Sequence, residues 1–150
     1  MSDPQRPRRI GRSIWALLAG VLVGVILSIG TDLALRAAGI LPPLGQPMSD
    51  ALFVLVTVYR TVYSVLGSYL TARLAPYRPM AHAMVLGAVG MAVCTLGAVV
   101  TWNKGPEFGP HWYPLALIIL ALPQSWAGGK LRELQLPVGV DESRQRAGDS

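Results

Sequence analysis

"TVYRTVYSVLGSYLTAR" (residues 57–73) sets an arginine, Arg60, inside a run that is otherwise apolar, small or hydroxyl-bearing up to Arg73. How that run is read decides the fold. In a water-soluble helix Arg60 is one surface charge among many. In a membrane span it is a cation near the middle of the bilayer, and there it must point into the protein and have a partner.

Composition favours the membrane. Hydrophobic residues make up 52% of the 150 and charged residues only 14%, against about 25% charged in an ordinary soluble domain. The mean hydropathy is +0.44, and the 16 glycines suit transmembrane helices, where glycine is commoner than in soluble ones. The formal net charge of +5 could suggest nucleic acid. The basic residues, however, gather in short patches at the ends of apolar runs and not along one face, so the expected partner is the lipid bilayer and nucleic acid is excluded.

Outward from residues 57–73, four apolar stretches have crossing length: 13–38, 51–75, 80–102 and 112–129, each near the ~20 residues that a helix needs to span the hydrocarbon. The breaks "GILPPLGQPMSD", "APYRP" and "NKGPEFGPH" are full of Pro and Gly, where helices cannot continue. The predicted fold is an all-α integral membrane protein, with four transmembrane helices in a compact up-down bundle over residues 13–131. A basic segment, 1–12, precedes it. The tail, 132–150, is polar and mixed in charge, and it reads as disordered.

Orientation follows from lysine and arginine, which stay on the cytoplasmic side. Arg6, Arg8, Arg9 and Arg12, then Arg73 and Arg78, then Lys130, Arg132, Arg144 and Arg146 fall on one side. The other side has Lys104 and Arg36. Both termini are therefore expected in the cytoplasm of a bacterial-type plasma (inner) membrane. Tryptophan favours the headgroup level and agrees: Trp15 and Trp126 lie near cytoplasmic ends, Trp102 and Trp112 near outer ends. A cleaved signal peptide is disfavoured, because the first apolar run is too long and Arg36 stands just before the candidate cleavage site at Gly39.

Residues three and four apart share a helix face, and small or polar residues form stripes on three of the four helices. The first has Ala16, Gly20, Gly24 and Ser28, continued by Asp32 and Arg36. The second has Thr57, Arg60, Thr61, Ser64, Gly67, Ser68 and Thr71, with Tyr59, Tyr63, Leu66 and Leu70 on other faces. The third has Ala83, Gly87, Gly90, Cys94, Gly97 and Thr101. Small residues allow close backbone approach, so Gly20, Gly24, Gly87, Gly90 and Gly97 are expected at helix contacts. The fourth span is apolar all round until Pro123, Gln124 and Ser125, and a kink is expected near residues 119–123.

Arg60 lies ~15 Å from the outer end of its span, near the middle of a ~30 Å core. Asp32 lies ~9 Å below the outer end of the first span. Helix side chains tilt toward their own N-terminus, so on antiparallel neighbours these two approach one depth from opposite directions. Arg36 competes for Asp32 from four residues along the same face. Gln124, at ~18 Å depth, is a candidate to complete the shell around Arg60. The candidate buried polar site is thus Asp32, Arg60, Gln124 and Ser64. A guanidinium stays protonated and offers five donors, which suits a carboxylate or phosphate far better than proton transfer.

Other chemistry is missing. Cys94 is the one cysteine, so no intramolecular disulfide and no multi-cysteine metal motif can form. His82 and His111 fall at opposite membrane faces with no second ligand at metal spacing. No Walker loop, dinucleotide fingerprint or HExxH motif is present. The sequence predicts neither enzyme activity nor a metal or cofactor. The expected function is a structural, self-associating or accessory membrane subunit, as a homo-oligomer or beside another membrane protein; the alternative is a small transporter or channel for an anionic solute that uses Arg60 with Asp32.

Overall fold

The computed structural model describes residues 6–76 and 78–136. The described residues form four long α-helices, α1 (Arg6–Ala37), α2 (Asp50–Leu74), α3 (Pro79–Thr101) and α4 (Trp112–Leu134), with a single 3-10 turn, Pro106–Phe108, before α4; no strand is present among them. Residues Ile10–Ala37, Asp50–Leu74 and Pro79–Thr101 are long and apolar enough to cross a membrane. α4, expected as the fourth span, equals α3 in length but is not among them, as Pro123, Gln124 and Ser125 lower its hydropathy.

Helix ends fall where backbone chemistry requires. α1 begins at Arg6, inside the segment read from sequence as a basic lead-in, and ends over Gly39, whose φ of +74° is the left-handed conformation that glycine adopts freely. Ile40 N–H then reaches the carbonyl of Leu35. α3 opens with Pro79 at its first position, the place where a missing N–H costs nothing. α4 runs unbroken through Pro123 to Leu134, past the 129 expected as the end of the span and into the stretch read as a tail. The rest of that tail, 137–150, lies outside the described residues.

Side-chain contacts set the helix directions. Along α1 and α2, Asp32 meets Arg60 while Ala16 meets Thr71, so these two are antiparallel. α2 and α4 run parallel, with Arg60 on Tyr113 at one end and Ser68 on Ser125 at the other. α3 packs against α4 in the opposite direction, and α2 lies between α1 and α4. α1 touches α3 only slightly, with Ser13 Oγ 2.9 Å from His82 Nε2.

Most buried residues are small, with Leu41, Phe53 and Val56 the large apolar exceptions. Ala16, Ala72 and Ala83 are buried, and the largest fully buried side chains are Thr71 and Ser68. Large apolar side chains point outward instead: Trp15 and Val99 are each 71% exposed and Ile119 is 70% exposed. A soluble protein buries its large hydrophobic residues; this inverted distribution suits helices held by close backbone approach in an apolar solvent.

Candidate functional site

Arg60 of α2 reaches side chains of two other helices. Its Nη2 donates to Asp32 Oδ2 at 2.7 Å, and its Nη1 donates to the Tyr113 hydroxyl at 2.9 Å. The Tyr59 hydroxyl donates to the other carboxylate oxygen, Oδ1 of Asp32. Three helices therefore meet at one ion pair, α1 through Asp32, α2 through Tyr59 and Arg60, and α4 through Tyr113. The pair is partly shielded, with side-chain exposures of 35% for Arg60 and 22% for Asp32. Arg60 Nε is buried and has no hydrogen-bond partner.

Local structure explains each position. Tyr59 and Arg60 are adjacent on α2, so they reach Asp32 from neighbouring faces of one turn. Tyr63, one turn later, holds the residue that precedes Asp32 on α1, its hydroxyl 2.7 Å from Thr31 Oγ1. Tyr113 sits in the first turn of α4, its ring 5.0 Å from that of Phe53, which fixes the hydroxyl over Arg60. Arg36 does not share Asp32. It turns to the carbonyl of Pro42, in the loop that follows α1.

The other expected site residues are placed differently. Gln124 is buried and donates from Nε2 to Thr61 Oγ1 at 3.1 Å; Thr61 in turn donates to the carbonyl of Thr57. Gln124 thus serves a neighbouring turn of α2, and Tyr113 stands where it was expected beside Arg60. Ser64 is exposed and takes no part in the cluster. The sequence reading placed Tyr59 and Tyr63 off the polar face and gave Tyr113 no role. A usable signal was present, because a tyrosine hydroxyl removed from water needs a partner and these three lie within a turn or two of Asp32 or Arg60 in depth.

The glycine stripes divide in the same way. A Cβ on Gly67 would stand 2.6 Å from the carbonyl oxygen of Gly20, so these two make the closest α1–α2 approach. Gly87 packs on Ser125, and Gly24 has only ordinary contact with Tyr63. A Cβ on Gly90 or Gly97 would meet nothing within 4 Å, so neither makes the helix contact expected of it. Gly128 and Gly129, unremarked in the sequence reading, are tightly packed against α2 and α3.

Two cavities border Arg60. One, of about 300 Å³, lies at the loop end and is lined by Asp32, Arg36, Gln46, Phe53 and Tyr113 among others. The second, of about 460 Å³, is a crevice between α1 and α3, walled by Gly24, Val25, Gly90 and Val93, with Ser64 and Gln124 among the residues that line it. Arg60 is the one residue that lines both. Among the described residues no group of three or more His, Cys, Asp or Glu side chains could hold a metal. His82 caps the first turn of α3 against the carbonyl of Arg78, and His111 stacks on Trp102. The chain matches no family model, no curated protein and no solved structure.

Proposed function

We propose that this chain is a small multi-pass protein of a bacterial-type plasma membrane, with all four helices crossing and both termini cytoplasmic, that acts as a structural, self-associating or accessory subunit. The observation that carries this reading is that the charge of Arg60 is engaged inside the chain. Its guanidinium joins three helices through Asp32 and Tyr113, which is what a register-fixing bridge requires. The outward-facing apolar side chains of α1 and α3 leave surface for a second copy or another membrane protein. The topology is supported by the sequence positions of the basic residues, ten of which lie before the first span, between the second and third, or after the fourth.

Removing one member of such a pair strands the other charge, a loss of about 3–5 kcal/mol where the pair is buried. Asp32→Asn and Arg60→Gln should each lower the thermal stability of the detergent-extracted protein, and the double variant should recover most of the loss. A double variant no more stable than the singles counts against the bridge.

A second reading, a carrier or channel for an anionic solute, is favoured by the position of Arg60 as the common wall of two cavities. It predicts phosphate flux in reconstituted vesicles that Arg60→Gln abolishes. Unchanged flux through a folded Arg60→Gln protein excludes it.

A further inference from the structure

We propose that the loop-end cavity and the α1–α3 crevice are the two halves of one binding site for an acidic single-chain lipid, with its anionic head at Arg36 and Arg60 and its tail in the crevice. The inference rests on the second reading above for Arg60 as an anion ligand, but it concerns binding and needs no flux.

The head half is set by the two arginines. The ion pairs among the described residues are Asp32–Arg60 and Lys130–Glu133. Arg36 belongs to neither and donates to Pro42, a neutral acceptor, so the loop-end cavity holds a cation without a carboxylate in contact. Glu107, the other acid on that cavity, folds back over its own loop, where its carboxylate fills the space a Cβ on Gly105 would take. Arg60 spends one hydrogen of each terminal nitrogen on Tyr113 and Asp32. A guanidinium has five donors, so donors remain for a head group.

The tail half is set by shape. The crevice is walled by Val21, Val25, Val89 and Val93 with glycines between them, and a Cβ on Gly90 would meet nothing within 4 Å. Its volume of about 460 Å³ falls in the ~300–1,000 Å³ range of small-molecule sites, which are mostly apolar with a few placed polar groups. It lies between two helices whose outer faces are apolar, so a chain can enter it from lipid. A second helix in the crevice would bury Ser64, which makes no hydrogen bond among the described residues, and would leave Arg36 unused. An acidic head uses that cation, and one chain suits the single crevice.

The test is native mass spectrometry of the full chain released from a nonionic detergent, with palmitate and hexadecanol as probes. Palmitate should bind one per chain, roughly tenfold or more tighter than hexadecanol, and should slow N-ethylmaleimide modification of Cys94, which lines the crevice. Gly90→Leu, which projects into open space and should fold, must lose palmitate by a similar factor. Arg36→Gln must narrow the preference for palmitate over hexadecanol. Equal binding of the two probes, or full binding by Gly90→Leu, overturns the proposal. So does a palmitate-independent dimer that crosslinks through Cys94, which would give the crevice to a second copy. Palmitate binding by a protein without phosphate flux upholds the site and removes the carrier reading; flux without palmitate binding does the reverse.

Discussion

Tyr113 contributes one hydroxyl to the cluster, yet among the described residues it is the one hydrogen bond there that ties α4 to the charges of α1 and α2. A hydrogen bond to a charged group contributes about 1.5–3 kcal/mol. Tyr113→Phe should therefore lower stability by that order in thermal unfolding of the detergent-solubilised protein. Tyr59→Phe should cost less, because the Asp32–Arg60 pair already joins α1 to α2. Arg36→Gln should have little effect on folding, since its acceptor is a loop carbonyl. At this scale depth was legible: a fixed rise per residue and the N-terminal tilt of side chains point from Arg60 to Asp32. The tyrosines were not, because the same residue type serves lipid interfaces and buried hydroxyl contacts, and face assignment alone does not separate them. Gln124 illustrates the converse. Its depth suits Arg60, but its direction around α4 delivers it to Thr61.

Among the helices, the contrast between Gly67 and Gly97 is the sharpest. At Gly67 an added methyl would collide with the backbone of α1, which cannot withdraw without parting the helices; at Gly97 it would meet nothing. Overpacking of this kind costs about 1–3 kcal/mol. Gly67→Ala should destabilise by that order, while Gly97→Ala should stay within about 0.5 kcal/mol of the parent, both read from the same unfolding assay. A sequence shows which residues are small and which face they share, and that sufficed to single out Gly20 and Gly87. It does not show which small residues find a neighbour: Gly90 lines the crevice, Gly97 is exposed, and a Cβ on either would meet no other helix. Helix ends were readable at the three Gly- and Pro-rich breaks, though Gly128 and Gly129 do not end α4, which runs on to Leu134. The start of α1 was not, because four arginines in a row of polar residues read equally well as a tail and as a first turn.

For the molecule as a whole, the reversal of inside and outside is the dominant fact: threonine, serine, alanine and glycine supply most of the buried residues while most of the valines, with Trp15, Trp102 and Trp126, face out. Hydropathy made the helical, membrane-competent architecture legible, since three helices have both the length and the composition to cross. Sidedness is open to direct measurement in a Cys94→Ala background. A membrane-impermeant maleimide should label Lys104→Cys in intact cells and Arg78→Cys only after permeabilisation; the opposite pattern reverses the proposed topology. The ion pair adds a constraint on how such a chain is made. Asp32 precedes Arg60 by 28 residues, so during synthesis from the N-terminus the carboxylate emerges before the guanidinium does. Under the proposed topology α1 and α2 can then enter lipid with this pair already neutralised, and Arg60 need not cross into hydrocarbon as a bare cation. Tyr113, made last, would close the cluster only when α4 docks, which makes the arrival of the fourth helix the step that locks the other two.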